Sequence, residues 1–236
     1  MTDGRTSGSR RDRSGPSLGE RLRLLVVTEP EPSSGMPLPQ VVEACLRGGA
    51  TAIELRHEGA AGGILLEEAE RIGELARRHG ALFLVNDRAD VALAAGADGV
   101  HLGPDDPPVE AVRHFVPGGF IIGYSTDEPR AAREAAAAGA DYLGVGAVYG
   151  TASKAGLENE AIGPERVGRV LRAAGLPGVG IGGIRPENAA AVAEEGAGVA
   201  VLGALMGAAR PEDVARALRA AVDEAWARTG ALTHPG

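Results

Sequence analysis

From residue 23 onward the chain alternates short β-branched runs with longer Ala-, Glu- and Arg-rich stretches of helical period, and few architectures accept that alternation. A helix between two strands must cross back over the sheet, so successive strands pair in parallel. Eight runs read as strands, at 23–28, 51–56, 82–86, 99–102, 120–124, 142–146, 178–181 and 199–202. Helical periodicity predicts helices at about 38–48, 64–79, 88–95, 107–115, 128–138, 164–174, 186–195 and 211–228. Eight of each predict an α/β fold with a single (β/α)₈ TIM barrel over residues 21–230, the alternative being a doubly wound open sheet.

A local repeat supports the tally. Gly-Ala precedes a buried-looking strand at Gly49-Ala50, Gly96-Ala97, Gly139-Ala140 and Gly196-Ala197. Glycine at a helix end supplies the left-handed backbone that turns the chain back toward the sheet. The irregular spacing of the four copies fits βα units and excludes a solenoid.

Composition narrows the class further. Aromatic residues are 3% of the 236, so the core must be built from Ala, Val, Leu and Ile. The lone Cys45 excludes a disulfide framework and cysteine metal clusters. A formal net charge of −8 argues against nucleic acid or an anionic membrane as partner. No run reaches the roughly 18–20 apolar residues of a membrane span. Residues 1–20, rich in Gly, Ser, Arg and Asp, read as a disordered tail without a signal-peptide core. A cytoplasmic location is the default expectation, and a homo-oligomer is a guess that no motif specifies.

Function in such a barrel is carried by the loops that follow the strands. Strand 2 ends in Glu54, Arg56 and Glu58, which alternation puts on one side. Arg56 either forks onto a phosphate or closes the barrel end as an Arg–Glu pair. Strand 3 ends in Asn86-Asp87, where Asp87 reads as a magnesium ligand or, better on local chemistry, as a helix N-cap. Strand 4 carries His101, expected to be a hydrogen-bonded core histidine rather than a catalyst, and runs into Asp105-Asp106, again cap or metal ligand. The hydroxyl of Ser125 after strand 5 either binds an anion or caps the next helix, capping being the safer reading. Strand 6 leads into a long Gly/Thr/Ser loop with Thr151, Ser153 and Lys154. Lys154 is the only lysine beside 23 arginines, which points to a place where a guanidinium does not substitute.

Strands 7 and 8 end in Gly182-Gly183 and Leu202-Gly203. Paired Gly-rich turns at these two positions are where such barrels bind phosphate through backbone N–H groups. Together with Arg56, Lys154 and a divalent ion near Asp87 and Asp106, they imply phosphorylated or pyrophosphorylated small molecules as partners.

In their order, the stretches NDRADVALAAGADGVHLGPDD, GADYLGVGAVYGTASK with IGPERV, and VGIGGIRPENAAAVAEEGAGVAVLGAL resemble the thiamine-phosphate synthase family and its relatives, the TenI-type thiazole tautomerases. The resemblance covers about residues 23–222. It implies a magnesium-dependent transferase of thiamine biosynthesis that joins hydroxymethylpyrimidine pyrophosphate to thiazole phosphate and releases pyrophosphate. By motif, Arg56, Asn86 and Lys154 would contact the pyrophosphate, with Arg56 and Lys154 as the catalytic cations and Glu54 among the substrate-binding residues. Asp87 and Asp106 would hold Mg2+, and Ser125 would meet the pyrimidine. Thr151 and Ser153 would meet the thiazole phosphate, to which Gly183, Leu202 and Gly203 would offer backbone N–H groups.

The chain departs from the family pattern at four places. Gln-x-Arg-x-Lys on strand 2 reads Glu54-Leu55-Arg56-His57-Glu58, and Gly-Gln before the second acid reads Gly103-Pro104. Ser-x-His after strand 5 reads Ser125-Thr126-Asp127, and the strand-8 Ser is Gly203. A divergent tautomerase and a barrel that binds thiamine precursors without turnover are the alternative expectations.

Overall fold

The computed structural model describes residues 15–150 and 161–230. Its strands are β1 (Leu24–Val27), β2 (Ala52–Leu55), β3 (Leu82–Asn86), β4 (Gly99–Leu102), β5 (Ile121–Ser125), β6 (Tyr142–Val145), β7 (Gly178–Ile181) and β8 (Gly198–Val201). They close into one parallel barrel in sequence order, with β8 paired back to β1 through Leu25 and Ala200. The barrel expectation holds and the open sheet is excluded.

The helices are α1 (Leu18–Arg21), α2 (Leu38–Arg47), α3 (Gly62–Arg78), α4 (Ala89–Ala94), α5 (Val109–Phe115), α6 (Pro129–Ala138), α7 (Pro164–Ala174), α8 (Ala189–Glu194), α9 (Gly203–Met206) and α10 (Pro211–Thr229). The first and ninth were not expected. Leu18–Arg21 occupies the end of the segment assigned to a tail, and it is helical because Ser17 and Glu20 form a reciprocal capping box. It packs Leu18 and Leu22 against the inward face of the strands and closes the floor of the barrel. The rest of the expected tail, residues 1–14, lies outside the described residues.

All four glycines of the repeat are left-handed, with φ of 101° at Gly49, 65° at Gly96, 103° at Gly139 and 84° at Gly196. In three of the copies the alanine that follows donates its N–H back into the helix, Ala50 to Cys45 O, Ala97 to Ala92 O and Ala140 to Ala135 O, at 2.9–3.1 Å. The repeat is therefore a helix-ending turn that satisfies otherwise orphaned carbonyls while it aims the chain at the next strand.

Strand alternation divides the core in two. Leu24, Val26, Ile53, Leu55, Phe83, Val85, Val100, Ile122, Leu143 and Val199 face the helices in the larger cluster. Leu25, Val27, Ala52, Leu82, Leu84, Tyr142, Val179 and Ala200 fill the barrel interior. The inward positions near the strand C-termini are the polar exceptions. Among them Glu54 and His101 are buried, at 4% and 8% exposure.

Candidate functional site

A cavity of about 1770 Å³ opens at the C-terminal ends of the strands. Glu54, Arg56, Asn86, Asp87, Asp106, Ser125, Gly183, Leu202 and Gly203 all line it. Nine of the twelve site residues expected from sequence thus meet in one place, although they come from strands spread along the chain. Thr151, Ser153 and Lys154 lie outside the described residues.

Strand 2 delivers its three charges to the same side, as alternation predicts. The Arg56 backbone N–H donates to the buried Thr28 hydroxyl at 3.0 Å, which ties the end of β2 to β1. The Arg56 guanidinium is ion-paired with Glu58, whose side chain is 66% exposed and so gains little from the pair. Both readings of Arg56 therefore coexist: it is paired with an acid, and it faces the cavity. Burial pushes the Glu54 carboxyl up to about 7, and the Arg56 charge only partly offsets that shift.

At the end of β3 the capping expectation fails. Arg88 occupies the N-cap of α4 and no side chain caps it, whereas Asp87 sits before it with φ of 62°. Its N–H donates to His101 O at 2.8 Å, which leaves its carboxyl directed at that of Asp106. Burial, then the hydrogen bond and charge of Asp106, then Glu54 and Glu58, push the Asp87 carboxyl up to about 7. The capping expectation fails for Asp106 too, since α5 starts after Pro108 without a side-chain cap. Asp106 Oδ2 instead accepts from Gly103 N–H at 2.6 Å, which pins it to the mouth of the barrel.

This donor set fits a magnesium ion. Among the described residues no group of three or more His, Cys, Asp or Glu side chains is arranged to hold a metal. Magnesium commonly uses one or two carboxylates and completes its shell with water and substrate phosphates. Two carboxyls close enough to share a proton, with two further acids nearby, are short of positive charge in the way a divalent cation would correct.

Ser125 is not a cap either. Glu128 holds the N-cap position of α6, and the Ser125 hydroxyl is engaged by the ring of His101, Nε2 to Oγ 2.8 Å. The other ring nitrogen, Nδ1, lies 2.7 Å from the Tyr142 hydroxyl. Sequence reading anticipated a hydrogen-bonded core histidine but missed Tyr142. The signal was a pair of glycines on the neighbouring strands. A Cβ at Gly123 would sit 2.5 Å from His101 Nδ1 and overlap the Tyr142 ring, and one at Gly144 would sit 3.0 Å from His101 Cε1.

Burial depresses the His101 pKa from 6.5 to about 4, with the Asp106 charge opposing. The unfolded chain therefore binds the extra proton between these values. His101 contributes stability that is complete above pH 6.5 and is lost as the pH falls through 4, about 3 kcal/mol in all. Urea unfolding at pH 7.5 and 4.5 should show this loss in the wild type, and a His101→Gln protein should show a correspondingly smaller drop.

The last two strands end in the expected turns. Gly182 and Gly183 have φ of 100° and 66°, and a Cβ on Gly183 would meet Gly150 O at 2.5 Å. The turn is braced by Asn188, which accepts from Arg185 N–H at 2.8 Å and donates to Gly183 O at 3.0 Å. After β8 the chain enters α9 at Gly203, so the short extra helix that accompanies phosphate sites in these barrels is present.

Residues 24–205 match the family model described as thiamine monophosphate synthase. The thiamine-phosphate synthase of Natronomonas pharaonis is 48% identical over 200 residues, which are 84% of this chain and 94% of that protein. The thiamine biosynthesis bifunctional protein ThiM/ThiE of Symbiobacterium thermophilum is also 48% identical, over 87% of this chain but 42% of its own greater length. Among solved structures, the thiamine phosphate pyrophosphorylase of Pyrococcus furiosus superposes with a TM-score of 0.81 at 38% identity, covering 89% of this chain and 99% of that one. A closed eight-stranded barrel, a cavity that gathers acids, an arginine and two Gly-rich turns, and near-half identity over most of the chain agree: this protein belongs to the thiamine monophosphate synthase family.

Proposed function

We propose that the chain is a thiamine-phosphate synthase, a transferase that joins hydroxymethylpyrimidine pyrophosphate to thiazole phosphate and releases pyrophosphate. The observation that carries this reading is the convergence of Arg56, the Asp87–Asp106 pair and the turns after β7 and β8 on one cavity. Those groups match a substrate pair with a pyrophosphate at one end and a phosphate at the other.

In this reading Arg56, Asn86 and Lys154 bind the pyrophosphate, and Asp87 and Asp106 hold magnesium. When bound, the ion supplies Lewis-acid stabilisation of charge on the leaving group. Ser125 contacts the pyrimidine. Backbone N–H groups of Gly183, Leu202 and Gly203, with Thr151 and Ser153, hold the thiazole phosphate. The carbon–oxygen bond to pyrophosphate breaks, its electron pair leaves with the pyrophosphate oxygen, and the pyrimidine-methyl cation accepts the lone pair of the thiazole nitrogen to form the new carbon–nitrogen bond. Arg56 and Lys154 supply the positive charge that stabilises the departing oxygen, as charged groups at a leaving group do in the transition state.

Purified protein with magnesium and both substrates is expected to form thiamine phosphate, and absence of product beside an active control synthase would refute the reading. In the same assay Lys154→Ala is expected to lose about 100-fold in kcat. Glu58→Lys is expected to be as active as the wild type or more so, since it removes the acid that competes for Arg56 and adds a cation. The Arg56–Glu58 pair also favours a second reading, in which the barrel binds thiamine precursors without turnover. Calorimetric binding with no product would select it.

A further inference from the structure

The barrel interior holds a hydrogen-bonded chain, Tyr142–His101–Ser125, whose direction is set by what is buried. Tyr142 is fully buried, and among the described residues its hydroxyl has one hydrogen-bond partner, His101 Nδ1. A phenolic O–H can donate as well as accept, whereas a neutral imidazole offers one donor and one acceptor nitrogen. If Nδ1 carried the proton, the Tyr142 O–H would be left in the core without an acceptor, and an unmade buried donor is the costlier arrangement. The proton therefore belongs on Nε2, which donates to Ser125 Oγ at 2.8 Å. With that lone pair occupied, the Ser125 hydroxyl proton is released toward the cavity that Ser125 lines. The rings of His101 and Tyr142 are held 5.4 Å apart at 43°, in space kept open by Gly123 and Gly144.

We infer that Tyr142 and His101 are positioning residues that fix the polarity of Ser125, so that it meets the substrate as a hydrogen-bond donor. The substrate atom it serves must then be an acceptor, a pyrimidine ring nitrogen or a pyrophosphate oxygen, and not an N–H group. This inference rests on the synthase reading for the identity of the substrate, but the tautomer itself does not depend on it.

Two measurements test it. Nitrogen-15 NMR of the wild-type protein, with the His101 signal assigned by its loss in His101→Gln, should show the ring protonated on Nε2 and bare on Nδ1. A proton on Nδ1 overturns the inference whether or not the protein is a synthase. If thiamine phosphate is formed, a double-mutant cycle supplies the second arm. Tyr142→Phe should lower kcat about 10-fold or more with KM for the pyrimidine substrate changed less than about threefold, while leaving the fold intact by circular dichroism. In a Ser125→Ala background the same change should cost less than about twofold, because Tyr142 acts only through Ser125. His101→Gln, whose amide N–H can stand in for Nε2–H, should retain more activity than His101→Leu. An equal loss from Tyr142→Phe with and without Ser125 would assign Tyr142 a merely structural role and overturn the inference, leaving the synthase reading in place. An inactive wild type would instead refute the synthase reading, and the NMR result would still decide the tautomer.

Discussion

Asp87→Asn is expected to lower kcat/KM by about 100-fold or more and at the same time to raise the thermal midpoint of the ligand-free protein. The activity loss follows from removing one of two carboxylates proposed to hold magnesium, since a positioned charge at a leaving group contributes several kcal/mol. The stability gain follows from the sign of the pKa shift. An acid whose folded pKa is raised from 3.8 to about 7 is fully tolerated only below its unfolded value, and it destabilises increasingly as the pH rises toward and past 7. Asp87 is about half buried, so the shift is discounted for solvent screening to about 1–2 kcal/mol at pH 8. For a domain of this size that is a rise of roughly 2–8 °C. Asparagine is the informative replacement because it also accepts the left-handed backbone seen at φ 62°, so a change in stability reports charge rather than strain. Scanning calorimetry without magnesium and steady-state kinetics with it would check the two halves. A mutant that loses both activity and stability would place Asp87 in the fold rather than in a metal site.

Arg56→Ala is expected to cost about 100- to 1000-fold in kcat/KM, with Arg56→Lys recovering only part of it. A guanidinium presents two parallel N–H donors to a phosphate, and an ammonium at the same place keeps the charge but not the fork. Removing Arg56 also removes a cation that holds down the Glu54 carboxyl and the counter-charge of Glu58. Around the Asp87 carboxyl, Glu54, Glu58 and Asp106 then face an incoming pyrophosphate without the Arg56 charge among them. The loss should therefore shrink when Glu58 is replaced in the same protein, which a four-member kinetic cycle of Arg56→Ala and Glu58→Gln measures directly. Strict additivity would mean that the Arg56–Glu58 ion pair has no bearing on substrate binding.

The barrel was legible from local pattern because each βα unit carries its own instructions. A helix-ending glycine, a small residue and a short apolar run recur; the glycine is left-handed in all four copies, and in three the alanine bonds back into its own helix. The expected strand edges fell within two residues of those observed. The floor helix Leu18–Arg21 was missed because Gly, Ser and Arg before it lower the apparent order of the segment, while its capping box is only four residues long. The cavity was legible too, in that strand-end residues of a closed parallel barrel must share one rim, and nine of them do.

Roles at that rim were a different matter. Asp87, Asp106 and Ser125 all precede helices, and locally an acid or hydroxyl before a helix reads as a cap. The choice between cap and site is made by where the side chain points, and that depends on partners far away in sequence. Asp87 is turned by a backbone bond to His101, and Ser125 is claimed by a histidine 24 positions earlier that is itself held by a tyrosine 41 positions later. By itself the sequence determined a barrel of eight βα units with acids, Arg56 and two glycine turns on its open rim, because strand alternation and helix-ending turns are short-range physics. Only the tertiary structure decided which of those acids face each other and which hydroxyl faces the cavity, because burial and hydrogen-bond direction exist only once distant strands have closed into the same barrel.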